Sequence, residues 1–201
     1  MAKRPPRETT SALWERARQL SRARCWHMKK IVLILGGAAS GKSTFGLAQA
    51  SQVAGQKAFI ATAQALDKEM LVKIERHKQE RGREWDTYEE PVRIADLVGR
   101  IGELYEVTLI DCLTLWTSNI MHAGFDLKDE VEGLVHAITK KSSHLNYIIS
   151  NEVGMGLVPE TPLGRAYREN LGFVNRRVAS VATEVYLLAA GIPIKIKETE
   201  E

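Results

Sequence analysis

The chain has 201 residues, 44% of them hydrophobic, with a formal net charge of +3 and two cysteines. That length suits one domain with a sizeable core better than two, and no segment approaches the ~18 consecutive apolar residues of a transmembrane helix. Cys25 and Cys112 lie in unlike contexts, which argues for a reducing compartment, the cytoplasm, and against a disulfide or zinc framework.

The charge is unevenly spread. Residues 1–30 carry nine Lys or Arg against two Glu, whereas residues 31–201 carry nineteen against twenty-three acidic residues. The body of the chain is therefore slightly acidic, and a nucleic-acid surface would have to come from the N-terminal segment alone. No nucleic-acid partner and no stable membrane insertion are expected. Leu13, Ala17 and Leu20 share one helical face in that segment, but the face is thin. Residues 1–27 read as a transit-like or membrane-surface leader, a basic tail, or the product of an upstream start codon. The last is favoured, because Met28-Lys29-Lys30 runs straight into the first apolar strand. Residues 1–27 are thus expected to be a disordered extension or a start-site artefact, and residues 28–201 a single catalytic domain.

That strand, Ile31-Val32-Leu33-Ile34-Leu35, leads directly into Gly36-Gly37-Ala38-Ala39-Ser40-Gly41-Lys42-Ser43. The spacing G-x-x-x-x-G-K-S is a P-loop. Its backbone N–H groups curl around phosphate oxygens, the lysine reaches the β and γ phosphates, and the serine hydroxyl holds Mg²⁺. A helix starting near Lys42 adds its positive dipole end.

Ala58-Phe59-Ile60-Ala61 reads as a short buried strand ending at Thr62-Ala63-Gln64. Asp67 is expected to cap a helix carrying Met70, Ile74 and His77 on one face, running into a polar stretch broken at Gly82. Thr87 to Pro91 is expected to be extended, because a residue before proline avoids the helical region. A helix over 94–105 precedes Val107-Thr108-Leu109-Ile110-Asp111, a strand closed by an acid in the Walker B pattern. A helix from about Lys128 to Ser142, a strand at Tyr147 to Ser150, a polar glycine loop from Asn151, a helix over Arg168 to Thr183 and a strand over Glu184 to Ala190 follow. The alternation predicts an α/β fold, a mostly parallel sheet flanked by helices, with its sites at the carboxyl ends of the strands.

Asp111 is expected to end at the sheet edge where the P-loop lies, able to hold Mg²⁺ directly or through water. Glu152, also just past a buried strand, is the alternative. His77 stands two turns from the Ala61-Thr62-Ala63 strand end beside Arg76, Lys78, Arg81 and Arg83. On spacing alone it is more often a half-buried structural side chain. As a neutral imidazole it could instead attack an α-phosphorus and form a phosphoramidate. Glu89 could accept hydrogen bonds from the N1–H and N2–H₂ of guanine, or simply form a surface ion pair.

Taken together, Gly36 to Ser43, Ile60 to Asp67 with Glu69-Met70 and His77-Lys78, Asp111 to Trp116 with Ser118-Asn119, Asn151 to Pro159, and Gly191 to Lys195 occur in an order that resembles the bifunctional adenosylcobinamide kinase and adenosylcobinamide-phosphate guanylyltransferase family. The resemblance runs from Met28 to Lys197. It implies phosphorylation of the aminopropanol hydroxyl of adenosylcobinamide, with ATP or GTP as donor, then transfer of GMP from GTP onto that phosphate through a guanylylated histidine. The matching histidine is His77. By the same resemblance, nucleotide contacts fall on the P-loop, on Ala61, Thr62 and Ala63, on Lys78, Gln79, Glu80 and Arg81, and on Glu89 and Asp111, with Mg²⁺ on Ser43 and Asp111 and catalysis on His77 and Lys42. It further implies a RecA-like nucleotide-binding core with an antiparallel edge, a corrinoid small-molecule substrate and a homotrimer.

Two positions depart from the family pattern: Ala39, where arginine is usual, and Arg176, where glutamine is expected. Two other readings compete, a simple P-loop small-molecule kinase with a structural His77, and a nucleotide-dependent regulatory switch. Neither explains the blocks downstream of the P-loop.

Overall fold

Every residue from Ile31 to Gly36 is buried, and the side chains of this strand alternate between two separate cores. The computed structural model describes residues 29–64, 82, 84–142 and 145–199. Their elements are β1 (Lys30–Gly36), α1 (Lys42–Ser51), β2 (Lys57–Ala61), β3 (Trp85–Glu89), α2 (Ile94–Ile101) with a 3₁₀ turn over Gly102–Leu104, and β4 (Val107–Asp111). After these come α3 (Leu113–Ala123), α4 (Leu127–Lys140), β5 (Leu145–Ile149), α5 (Pro162–Val181), β6 (Glu184–Ala189) and β7 (Ile192–Glu198).

The seven strands form one sheet in the order β3-β2-β4-β5-β1-β6-β7. All neighbouring pairs are parallel except β6 with β7, which form an antiparallel hairpin at one edge. Strands buried on both faces have to be largely apolar on both; β1 and β2 are near-continuous runs of Val, Ile, Leu, Phe and Ala, and β4 and β5 are apolar apart from the buried Thr108 and Asn146, the aromatic Tyr147 and the terminal Asp111. On one face Ile31, Leu33, Leu35, Ile60, Ile110 and Ile148 pack with residues of α2, α3, α4 and α5, including the fully buried Trp116. On the other, Val32, Ile34, Phe59, Leu109 and Ile149 pack with Ala50 and half-buried Phe45 and Leu47 of α1. The chain is therefore a mostly parallel sheet covered by helices on both faces.

Several elements differ from the sequence expectation. The helix expected over 94–105 ends at Ile101 and tightens into the 3₁₀ turn. Residues 113–123, for which no element was expected, form α3. The helix expected from Arg168 starts at Pro162, capped by the Thr161 hydroxyl, which accepts from the Gly164 N–H at 3.1 Å, with proline in the first turn where its missing N–H costs nothing. The expected last strand is followed by β7, whose Pro193 is tolerated because the strand lies at the edge. The extended stretch expected around Thr87 belongs to the opposite edge strand, β3. The Asp67-capped helix and the N-terminal extension lie outside the described residues.

Candidate active site

The P-loop leaves the carboxyl end of β1 and turns into α1. Gly36 has no room for a side chain: a Cβ there would sit 2.6 Å from both the Leu188 carbonyl oxygen and the Ser40 Oγ. Gly41 caps α1 with φ of 89°, a left-handed conformation that costs glycine least. Backbone bonds fix the loop from two sides. The Glu152 N–H donates to the Gly36 carbonyl at 2.9 Å, and the Gly191 N–H donates to the Ser40 carbonyl at 3.1 Å. The β6–β7 hairpin and the loop after β5 thus hold the loop in shape. Gly37, Ala38 and Ala39 at its crown are exposed, and Ala39 is in the left-handed region with φ of 54°.

Lys42 and Ser43 open α1. Lys42 is buried, and its ammonium donates to the Gly37 carbonyl at 2.6 Å and to the Ser40 hydroxyl at 3.4 Å. Burial lowers its pKa below the usual lysine value, while the nearby Cys112 and Asp111 side chains pull the other way. A buried cation of this kind is poised to gain from an anion.

Asp111 ends β4 in register with Ile149, which pairs with Ile34, so the acid lies at the same carboxyl edge as the P-loop. One strand, β5, stands between β4 and β1, a separation of roughly 10 Å. Asp111 is also level with Ala61 on its other side, and Ala61 is level with Glu89. Ala61, Glu89 and Asp111 therefore form a row across three strands, leading from the P-loop side of the sheet to its β3 edge.

Thr62 is fully buried just beyond this row. Its hydroxyl donates to the Cys112 carbonyl at 2.7 Å and accepts from the Cys112 N–H at 2.8 Å, while its own N–H donates to the Asp111 carbonyl at 3.0 Å. The side chain is thus committed to holding the Asp111–Cys112 backbone. Asn119 of α3, to which the sequence assigned no role, donates from Nδ2 to the Thr62 carbonyl at 2.9 Å and to the Pro91 carbonyl at 3.0 Å. No spacing rule links residues 57 positions apart, so this clamp could be found only in three dimensions. Cys112 is a free thiol, and burial and the neighbouring Asp111 push its pKa up, which makes it a poor nucleophile.

Ser43 and Asp111 supply hard oxygen donors of the kind Mg²⁺ prefers. Among the described residues there is no cluster of three or more His, Cys, Asp or Glu side chains that could hold a metal. A hydroxyl and a single carboxylate, completed by water and phosphate oxygens, is the pattern of a nucleotide-borne Mg²⁺ rather than a resident metal, so the donor set fits. Glu152 is less suited, since its carboxylate accepts from the Gly154 N–H in its own loop. His77, Lys78, Gln79, Glu80 and Arg81 lie outside the described residues.

A parallel sheet with a glycine loop running into a helix N-terminus at its carboxyl edge, and an acid-bearing strand one strand removed from the loop strand, defines a P-loop nucleotide-binding protein of the RecA-like type. Residues 32–196 match the family described as CobU, cobinamide kinase / cobinamide phosphate guanyltransferase. The bifunctional adenosylcobalamin biosynthesis protein CobU of Escherichia coli strain K12 is 35% identical over 182 residues, covering 83% of this chain and 99% of that protein. CobP of Pseudomonas aeruginosa, with the same bifunctional description, is 35% identical over 167 residues, covering 82% and 96%. Among solved structures, a KaiC-like protein from Pyrococcus horikoshii overlays with a TM-score of 0.48 and 14% identity, covering 85% of this chain and 80% of that one. The chain belongs to the CobU family of bifunctional cobinamide kinases and cobinamide phosphate guanylyltransferases of adenosylcobalamin biosynthesis. Among its described residues, no helix is long and apolar enough to cross a membrane.

Proposed function

We propose that this chain phosphorylates the aminopropanol hydroxyl of adenosylcobinamide, with ATP or GTP as donor, and then transfers GMP from GTP to the product through a guanylylated His77. The observation that carries this beyond family membership is the buried Lys42 ammonium at the mouth of a rigidly held P-loop, with Asp111 at the same sheet edge.

In the kinase step the P-loop N–H groups and Lys42 hold the triphosphate and offset the charge that develops on the leaving diphosphate. The substrate hydroxyl oxygen bonds to the γ-phosphorus, the bridging bond to the β-phosphate breaks and leaves its electron pair on the diphosphate, and the hydroxyl proton passes to solvent water. In the transfer step a ring nitrogen of His77 attacks the α-phosphorus of GTP, and the bond to the β-phosphate breaks to release pyrophosphate. A phosphate oxygen of cobinamide phosphate then displaces the histidine, forming the diphosphate linkage and freeing the ring. Mg²⁺ held by Ser43 and Asp111 would neutralise charge on the phosphates. Lys42 donates to the phosphate oxygens in both reactions and keeps the β and γ groups in place.

The row of strand ends supports a direction for this nucleotide. With its triphosphate in the P-loop, its base lies toward β2 and β3, where Ala61, Ala63 and Glu89 stand and where Glu89 accepts from the guanine edge. Lys78, Gln79, Glu80 and Arg81 follow the histidine and complete the contacts. The protein works as a homotrimer in the cytoplasm, where both nucleotides are available, and acts on a corrinoid rather than a nucleic acid. The test is to supply cobinamide, ATP, GTP and Mg²⁺ and to follow products by mass: cobinamide phosphate, then cobinamide-GDP with pyrophosphate. Formation of the phosphate alone would favour the simple kinase, and no corrinoid product would refute both activities.

A further inference from the structure

A cavity of about 500 Å³ opens between α5 and the loop that follows β5, away from the row of strand ends that carries the nucleotide. Leu35 and Glu152 line its inner end, and Glu152 is bonded through its N–H to Gly36, so the cavity abuts the P-loop. Asn175 of α5 lines it too, is only 5% exposed, and donates from Nδ2 to the Asn151 carbonyl at 3.0 Å. The other half of that amide is unmet: Asn175 Oδ1 is buried without a hydrogen-bond donor among the described residues. A buried acceptor left unpaired costs free energy that a ligand donor would recover.

Three arginines line the same cavity, and two of them are occupied. Arg165 donates to the carbonyls of Pro159 and Glu160, and Arg168 donates to the Gly154 carbonyl, so both tie the loop to α5. Arg176 is exposed at the cavity and makes no hydrogen bond or ion pair among the described residues. Beside the opening the tied loop presents Met155, Leu157 and Val158, which are 79%, 96% and 69% exposed. Exposed apolar side chains displayed beside a largely apolar pocket that carries a few polar groups mark a binding surface.

We propose that this cavity is the acceptor subsite, taking a primary-amide arm of the corrinoid substrate while the apolar side of the macrocycle rests on Met155, Leu157 and Val158. The amide N–H donates to Asn175 Oδ1, and the amide carbonyl accepts from the Arg176 guanidinium. A buried, unpaired acceptor oxygen on a residue that lines the pocket favours a donor, which a carboxylate or phosphate does not offer at neutral pH. The assignment rests on cobinamide being the acceptor, and the position next to Gly36 brings the substrate up to the phosphate cradle from the side opposite the base.

The test is equilibrium binding of cobinamide to the full chain and to Asn175→Ala and Arg176→Ala, with GTP affinity measured on the same samples. Asn175→Ala is expected to weaken cobinamide binding on the order of ten-fold, and the exposed Arg176→Ala several-fold, with GTP affinity unchanged in Arg176→Ala. Arg176→Ala keeps the test decisive if Asn175→Ala fails to fold. A cobinamide analogue with its amides hydrolysed to carboxylates is expected to bind more weakly to the wild type. Cobinamide binding unchanged in the folded variants overturns the subsite alone, as does tighter binding of the carboxylate analogue, which would make the cavity an anion site. No cobinamide binding by the wild type overturns the functional assignment and the subsite with it.

Discussion

Thr62 and Cys112 are joined by a reciprocal pair of hydrogen bonds, the threonine hydroxyl donating to the Cys112 carbonyl at 2.7 Å and accepting from the Cys112 N–H at 2.8 Å. Both partners follow directly after neighbouring strand ends, Ala61 and Asp111, so the pair fixes where the Asp111 carboxylate stands relative to the P-loop. Thr62→Val keeps the shape but leaves two backbone groups without this partner. It is expected to destabilise the fold by about 2 kcal/mol and to raise the Mg²⁺ concentration needed for activity. Thr62→Ser, which retains the hydroxyl, is expected to restore most of both. Denaturant unfolding and Mg²⁺ titration of the kinase reaction check this, and a Thr62→Val protein as stable and as Mg²⁺-sensitive as the wild type would contradict it.

Gly36 is the tightest point of the P-loop. Gly36→Ala places a methyl group 2.6 Å from the Leu188 carbonyl and the Ser40 hydroxyl, so either the loop or the β6–β7 hairpin has to shift. The expected cost is about 1–3 kcal/mol, together with weaker nucleotide binding, because the carbonyl that accepts from Glu152 N–H belongs to the same residue. Thermal unfolding and GTP titration read the two effects separately. Gly37→Ala, where a Cβ meets nothing within 4 Å, serves as the control with little change in stability.

Alkaline stability should follow two tyrosines, the buried Tyr147 and the half-buried Tyr167. Burial, helped by Glu184 and Tyr186, pushes the Tyr147 pKa up from 10.0 to about 12. Burial, helped by Cys112, does the same for Tyr167, whose hydroxyl donates to the Thr114 carbonyl at 3.1 Å. A group whose folded pKa is raised contributes stability that is complete below its unfolded value and is lost as pH rises to the folded one. Unfolding free energy is therefore expected to fall between pH 10 and 12. In Tyr147→Phe with Tyr167→Phe the fall should be shallower; an equally steep fall in the double variant would assign it to other groups.

The nucleotide half of the protein was legible in the sequence because its signals are local. Glycines at fixed spacing behind an apolar run mark the P-loop, and Val107 to Asp111 is read as a strand within the bounds it has in the fold. Helix α3 was not legible, since Cys112 at its N-cap makes no side-chain cap bond, and the polar Thr114, Thr117 and Ser118 interrupt its apolar pattern. The start of α5 carries a local signal outside its apolar periodicity, Thr161 followed by Pro162. Strand β7 carries Ile192, Ile194 and Ile196 in alternation, but a proline inside it obscures a strand that only an edge position allows. The clamp from Asn119 and the cavity at Asn175 join residues far apart in the chain, and no periodicity reports them.

The most direct measurement is incubation of the purified protein with Mg²⁺ and GTP labelled at the α-phosphate, followed by denaturation and a test for acid-labile, alkali-stable label on wild type, His77→Ala and Lys42→Ala. Label on the wild type, none on His77→Ala, and a loss on the order of 100-fold in Lys42→Ala are expected for GMP transfer through His77 from a nucleotide held by the P-loop. Equal labelling of His77→Ala, or no label on a wild-type protein that still binds GTP, would contradict it.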